Sequence, residues 1–318
     1  MLCAVPALRA LRAGFPKAKI VLIGLPHAYD VTARFPQYVD KIIEVPGWPG
    51  LPEREPDFSR IPAFLAEAVS QWFDLALQMH GSGVITNQLT CLLGANAAYG
   101  FHERGQWCPD PQRFLPFLDG ERETERLLRL VRHLGIAAED TSLEFPLTPE
   151  EQGTADALAA SHGLEPGRYV CLHSGASTPE RRWPPERFAA VADALAEAGL
   201  TAVITGADEE AAETAAMRKS MRAQAVDLTG QTTLATLAGV VRQARLVVCN
   251  DTSVSHIAAA LGVPSVVVFT ASDPRRWAPA DGETHRAVVA DPANPAEADS
   301  SVLAEALSLL ERGHVHAA

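Results

Sequence analysis

The chain has 318 residues, 47% hydrophobic and 21% charged, and a formal net charge of −12. That length suits two domains, and the composition is that of an ordinary globular protein. The acidic balance argues against nucleic acid as a partner, since such binding needs a basic face to displace counterions, and leaves room for at most peripheral contact with a membrane.

In chain order, short β-branched runs alternate with Ala/Leu-rich helical patterns, which implies βαβ units and mostly parallel sheets. The spacing predicts a helix over 6–13 closed by Gly14, then strands over 19–24, 41–45 and 75–79. Residues 48–62 are rich in proline and charge and read as a loop, and 127–134 continues a helix ended by Gly135. The acidic, aperiodic stretch 137–148, with Pro146 inside it, reads as a linker, dividing the chain into domains 1–145 and 146–318. Beyond it come a strand over 169–173, a helix over 185–198 with Gly199 as its terminal glycine, a strand over 201–205 and a helix starting over 208–217. Strands over 246–250 and 265–269 flank a helix over 254–261, and 301–310 is a last amphipathic helix. Two open α/β domains in tandem create a cleft, and ligands of such folds gather at the carboxyl ends of the strands.

The five cysteines, Cys3, Cys91, Cys108, Cys171 and Cys249, are scattered and form no CxxC pair. They read as reduced thiols of a cytoplasmic protein, the inner face of the cytoplasmic membrane being its furthest reach. No apolar run reaches transmembrane length, and prolines and arginines interrupt the opening residues too often for a signal peptide.

Four loops after strands carry candidate chemistry. Asn250-Asp251-Thr252-Ser253 leads from a buried strand into a helix, whose N-terminus suits a phosphate, although Asp, Thr and Ser are also the preferred helix caps. His256, further along that helix, is a possible site residue, although a histidine so placed is more often packed in the helix than catalytic. His173-Ser-Gly-Ala176 is a small-residue turn leading to Ser177, Thr178, Arg181 and Arg182. Small residues let a phosphate approach the backbone and an arginine grips it with two parallel hydrogen bonds, while solvated arginines on a flexible loop are the alternative. Gly206 is followed by Glu209 and Glu210, acids that would accept ribose hydroxyls or simply favour a helix N-terminus. His80-Gly81-Ser82-Gly83 is either a loop that lets backbone approach a ligand or a plain glycine-rich turn. No Walker A loop, GxGxxG, GxSxG, HExxH or cluster with metal-ligand spacing occurs.

The order and spacing of these loops resemble glycosyltransferase family 9, the ADP-heptose:lipopolysaccharide heptosyltransferases. The stretch from Cys249 to Gly262, then Pro264 to Phe269 and Asp273 to Pro279, carries the resemblance, with His173-Ser-Gly-Ala176, Arg181 to Pro184, Leu228-Thr-Gly230 and the first helix beside it. The resemblance implies a GT-B fold, two Rossmann-like domains facing a cleft, and inverting, metal-independent transfer of a heptose-like sugar from an ADP sugar to a lipopolysaccharide-core or related glycan acceptor. It implies no cofactor beyond that nucleotide-sugar substrate. Ser177, Thr178, Arg181, Asp251, Thr252 and Ser253 would meet the donor diphosphate, Gly206, Glu209 and Glu210 the ribose or base, and His80 to Gly83 the acceptor side.

Two departures stand out. The family usually has Asp-Thr-Gly where this chain has Asp251-Thr252-Ser253. Its members also begin with a strand and a loop ending in Gly-Asp, whose aspartate is the proposed general base. Here that residue would fall upstream of Met1, so no catalytic residue is identified and the first strand of the N-terminal domain is expected to be missing from this numbering. A GT-B sugar-nucleotide 2-epimerase and an inactive nucleotide-sugar-binding remnant are the competing expectations. Arg9, Arg12, Lys17 and Lys19 are either a basic patch for an anionic acceptor or a solvated face.

Overall fold

A computed structural model describes residues 2–26, 28–291 and 293–315. The chain divides into two compact units, Cys3–Thr141 and the residues from Ser142 onward.

The first unit contains α1 (Val5–Gly14), β1 (Val21–Gly24), α2 (Ala28–Arg34), β2 (Lys41–Glu44), α3 (Ile61–Val69), β3 (Leu75–Leu77), α4 (Thr86–Leu92), β4 (Ala97–His102), β5 (Phe114–Pro116) and α5 (Glu123–His133). Its described strands are all parallel and form two sheets, β1–β2 and β3–β4–β5. The expectation of a further strand concerns sequence upstream of Met1, outside the described residues. In α1, Ala7, Leu8 and Leu11 recur at helical spacing and pack with Leu127, Leu128, Leu130 and Val131 of α5 around Phe101. A second cluster joins Ile43, Trp48, Phe64, Ala68 and Leu89.

The second unit runs α6 (Pro149–Ser161), β6 (Tyr169–His173), α7 (Pro185–Glu197), β7 (Thr201–Ile204), α8 (Ala211–Ser220), β8 (Ala225–Asp227), α9 (Leu234–Gln243), β9 (Leu246–Asn250), α10 (Ser253–Ala260), β10 (Ser265–Phe269), α11 (Pro274–Trp277), β11 (His285–Val289) and α12 (Pro295–Val315). Its six described strands form one parallel sheet in the order β11-β10-β9-β6-β7-β8. Every residue of β6, β9 and β10 is buried, as helices on both faces of a parallel sheet require. Trp183, Phe188 and Leu195 pack on one face with Val302, Ala306 and Leu309 of α12.

Strands 169–173, 246–250 and 265–269 form as the sequence indicates. The helix expected from 208 instead opens with a 3₁₀ turn, Asp208–Glu210, before α8. The amide of Glu210 donates to the carbonyl of Ala207 at 3.0 Å, an i to i+3 bond, while its carboxylate accepts from the amide of Ala207 at 2.9 Å. That tight turn faces the Glu210 side chain inward.

Candidate functional site

The chain builds β6, β7 and β8 in one direction across the second sheet, then returns to place β9, β10 and β11 on the other side of β6. The reversal puts a crevice at the carboxyl ends of β6 and β9, the usual ligand position in an open α/β sheet. Asn250, the last residue of β9, is fully buried there. Its side chain donates to the carbonyl of Ser174 at 2.7 Å and accepts from the amide of Trp183 at 3.0 Å. One amide thereby clips both ends of the 174–183 loop to the neighbouring strand.

Arg181 reaches across the same crevice. It forms an ion pair with the buried carboxylate of Asp251 and donates to the Asp251 carbonyl at 2.9 Å. Ser272 donates to that carboxylate at 2.5 Å, and the Thr270 hydroxyl donates to the Glu180 carbonyl at 2.6 Å. Loops after β6, β9 and β10 are thus laced together around one guanidinium, which stays 30% exposed and so retains a face for a ligand.

Beside it begins α10. Thr252 occupies the N-cap position in extended geometry, yet its side chain makes no capping bond. Ser255 instead donates to the Thr252 carbonyl at 2.7 Å, and Ser253 is exposed. Capping therefore does not account for the Thr252 hydroxyl. A helix N-terminus, hydroxyls and a guanidinium together form an anion-binding constellation. Ser177 and Thr178 are exposed on the adjoining loop, with Ser177 accepting from Arg181 at 3.5 Å.

Among the described residues, Ser174 Oγ, Arg181 Nε, Trp183 Nε1 and Thr229 Oγ1 are buried polar atoms without a hydrogen-bond partner. Each such atom costs about 1–3 kcal/mol, so native folds leave few of them. Three of these fall within the 174–183 loop, while others, such as Asn87 Oδ1 and Gln152 Oε1, lie elsewhere in both units.

The two glutamates after β7 separate. Glu209 is exposed, whereas Glu210 turns inward with its carboxylate 3.7 Å from His173 Nε2. A Cβ added at Gly175 would lie 1.8 Å from Glu210 Oε1, and one at Gly206 would lie 3.4 Å from Oε2. Glu210 therefore spans the ends of β6 and β7, over glycines that leave it room. His173 is buried, with Nδ1 3.1 Å from the Thr205 hydroxyl, and burial pushes its pKa below the ordinary histidine value despite the nearby carboxylate. The Leu228–Gly230 turn reaches the same edge: a Cβ at Gly230 would lie 1.9 Å from Asp208 Oδ1.

Arg182 points elsewhere. It pairs with Glu213 and donates to the Ala176 carbonyl at 3.1 Å, bracing the loop rather than dangling in solvent. His256 is half-buried on α10.

In the first unit, His80 is exposed with Nε2 3.1 Å from Glu53 Oε1. Gly81 and Gly83 adopt φ of +59° and +90°, and a Cβ at Gly83 would lie 2.2 Å from the Phe101 carbonyl oxygen, so a close approach as well as a left-handed turn demands glycine there. Two members of the supposed basic patch are neutralised internally: Arg9 pairs with Asp140 at 2.8 Å and Arg12 with Asp40 at 2.6 Å. The Ile20 amide and Arg12 hold the Asp40 carboxyl below its usual pKa.

In the sequence Asn250 and Gly175 stand only as parts of motifs with no role of their own, and Thr270 and Ser272 are not singled out. An asparagine closing an otherwise apolar buried strand was the readable signal for the first. The two hydroxyls carried none. Among the described residues no helix is long and apolar enough to cross a membrane, and no group of three or more His, Cys, Asp or Glu residues is arranged to hold a metal.

The family model described as glycosyltransferase family 9 (heptosyltransferase) matches residues 64–303. Lipopolysaccharide heptosyltransferase 3 of Escherichia coli K12 is 25% identical over 217 residues, covering 65% of this chain and 61% of that protein. The chain thus spans about six tenths of the length of that curated relative. A glycosyl transferase family 9 structure from Veillonella parvula DSM 2008 superposes with a TM-score of 0.77 at 21% identity, covering 98% of this chain and 93% of that one. The E. coli ADP-heptose lps heptosyltransferase II structure gives 0.73 at 18% identity, over 99% and 96%. The shared fold is GT-B, as the motif order led one to expect.

Proposed function

This chain belongs to glycosyltransferase family 9, whose model spans well over half of it, and on that premise we propose that it moves a heptose-like sugar from an ADP sugar to a lipopolysaccharide-core or related glycan acceptor. The observation that carries the proposal is Arg181, held by Asp251 beside the N-terminus of α10 at the sheet's switch point. The donor assignment draws on the E. coli structure described as an ADP-heptose transferase.

In the proposed reaction a general base takes the proton of the acceptor hydroxyl, and the oxygen attacks the anomeric carbon. The bond from that carbon to the diphosphate oxygen breaks, the configuration inverts, and ADP departs with the bonding electrons. Arg181 and the helix dipole stabilise the charge growing on the diphosphate, the task a divalent cation performs in other transferases. Ser177, Thr178, Thr252 and Ser253 supply hydroxyl and amide donors. Glu210 accepts from the ribose hydroxyls, and the His80–Gly83 loop serves the acceptor. The proposal includes metal independence and a cytoplasmic location with at most peripheral membrane contact.

Calorimetry with ADP, UDP and GDP tests it. ADP should bind selectively, and Arg181→Ala should weaken it about tenfold or more, since charge-assisted hydrogen bonds contribute about 1.5–3 kcal/mol. Unchanged affinity and turnover in Arg181→Ala would sink the assignment. Epimerised nucleotide sugar formed without any acceptor would favour an epimerase instead.

A further inference from the structure

Beneath the 79–83 loop of the first unit lies a buried polar network that the donor chemistry does not use. Arg126 of α5 is fully buried. It holds Glu123 through both carboxylate oxygens, with Nε 3.0 Å from Oε2. The same guanidinium donates to the carbonyls of Met79 at 2.9 Å and Gly81 at 3.4 Å. Its carbon lies 4.5 Å from the ring centre of Phe101 and 5.8 Å from that of Phe117. Gln78, also buried, donates to the His80 carbonyl and to the Thr86 hydroxyl at 2.7 Å, and accepts from the Phe101 amide at 3.2 Å. Thr86 donates to the His80 carbonyl at 3.1 Å. Three successive carbonyls, those of Met79, His80 and Gly81, are therefore gripped by side chains.

Stability alone does not select this arrangement. Burying a guanidinium and a carboxylate costs several kcal/mol per ion before their attraction is counted, and apolar residues of similar volume commonly serve as well or better. Phe101 and Phe117 already offer the surface such residues would pack against. What the ions supply is direction. With three carbonyls drawn inward, the side chain of His80 faces solvent, where Nε2 lies 3.1 Å from Glu53 Oε1.

We infer that the Glu123–Arg126 pair is a positioning device for the 79–83 loop, and that it presents His80 and Glu53 together as a recognition pair for the hydroxyls of a sugar acceptor. A carboxylate accepts hydrogen bonds, and an imidazole offers one donor and one acceptor when neutral, which matches two adjacent hydroxyls. Arg126 touches no acceptor; it acts through the carbonyls of Met79 and Gly81. The identity of the ligand rests on the transferase reading, whereas the positioning role does not.

The decisive variant is Glu123→Met with Arg126→Met, which leaves neither charge unpaired. Amide hydrogen exchange across 79–83, ADP calorimetry and transfer to lipopolysaccharide cores shortened one sugar at a time are measured together. The variant should melt cooperatively, its 79–83 amides should exchange about tenfold faster as local opening becomes easier, and the acceptor KM should rise about tenfold, the effect of losing one well-aligned hydrogen bond. Its ADP affinity should equal that of the wild type. His80→Ala should raise the acceptor KM equally while leaving exchange at 79–83 slow. If the double variant does not fold, Arg126→Lys, which keeps the charge but loses the fork, takes its place with the same expectations in reduced size. Unaltered exchange at 79–83 overturns the positioning role, and an unaltered acceptor KM in His80→Ala overturns the recognition pair. A wild-type chain that binds ADP but, by the same calorimetry, binds none of the cores overturns the acceptor half as well. One that binds no ADP overturns the transferase reading, and the exchange measurement still decides whether Arg126 positions the loop.

Discussion

At Gly175 the space admits a hydrogen and little else. An added Cβ would meet Glu210 Oε1 at 1.8 Å and Cδ at 2.1 Å. The obstructing atoms are the end of a flexible side chain, so the chain can fold around an alanine by swinging the carboxylate aside. Gly175→Ala should therefore leave the melting temperature within a few degrees of wild type and weaken ADP binding roughly tenfold, the worth of one or two hydrogen bonds to a charged group. Calorimetry beside a thermal melt checks both halves; full affinity would mean that the inward carboxylate is dispensable for the nucleotide. The same neighbourhood shows how far adjacent residues diverge. Glu209 and Glu210 are interchangeable in the sequence, but only Glu210 turns in; Arg181 and Arg182 are equally basic, but one faces the crevice and the other braces the loop on Glu213.

Elements in this protein are joined at their ends by single side chains, and Asn250 is the clearest of these joints. Asn250→Ala would strand the Trp183 amide and the Ser174 carbonyl, two buried groups at about 1–3 kcal/mol each, so a loss of about 2–6 kcal/mol is expected in the urea unfolding of the second unit. A loss under ~1 kcal/mol would show that the loop is held by other means. Asn250→Asp should recover none of it, because the second carboxylate oxygen would face the Ser174 carbonyl as an unpaired buried charge beside Asp251. This joint also marks where the sequence stops being readable. The strands β6, β9 and β10 are short apolar runs broken only at one end, by His173, Asn250 and Ser265, and their β-branched content and flanking turns mark them as buried parallel strands. β4, with the sequence AAYGFH, shows no alternation, because Gly100 is required where a Cβ would come within 2.7 Å of the Gln78 Cβ. The start of α6 was legible in principle: Thr148 accepts from the Glu151 amide at 3.2 Å and Glu151 accepts from the Thr148 amide at 2.9 Å, the reciprocal cap that a Thr-x-x-Glu spacing announces. The phosphate-type loops were found because topology puts ligands after strands. The bonds that shape them, Asn250 to Ser174 or Arg126 to Met79, join residues 76 and 47 positions apart, and no local pattern records such pairs.

Over the whole molecule, titration should act unequally. Among the described residues, burial lowers the pKa of two histidines of the second unit, His173 against Thr205 and Glu210, and His285 against Ser265 and Asp281. In each, the attraction of the nearby carboxylate opposes burial without overcoming it. A histidine in the unfolded chain takes up its proton near pH 6.5, about where a free imidazole does, while burial makes these two take it up only at lower pH in the fold. The unfolded state therefore binds more protons as pH falls through 6.5, and stability drops, by at most about 1.4 kcal/mol per pH unit for each histidine. Carboxylates with lowered pKa, such as Asp40 in the first unit, give the same sign only in the acid range, as pH falls below about 3.9. The second unit should accordingly lose stability between pH 7 and 5.5 while the Asp40 contribution persists. His285→Asn, which lies at the amino end of β11, far along the strand from the candidate site, separates the histidine contribution from any general effect of acidity. Melting followed across that range should fall steadily in the wild type and less steeply in His285→Asn. Equal slopes would mean that the imidazole of His285 takes up its proton in the folded protein as readily as in the unfolded one, and that burial does not hold it neutral.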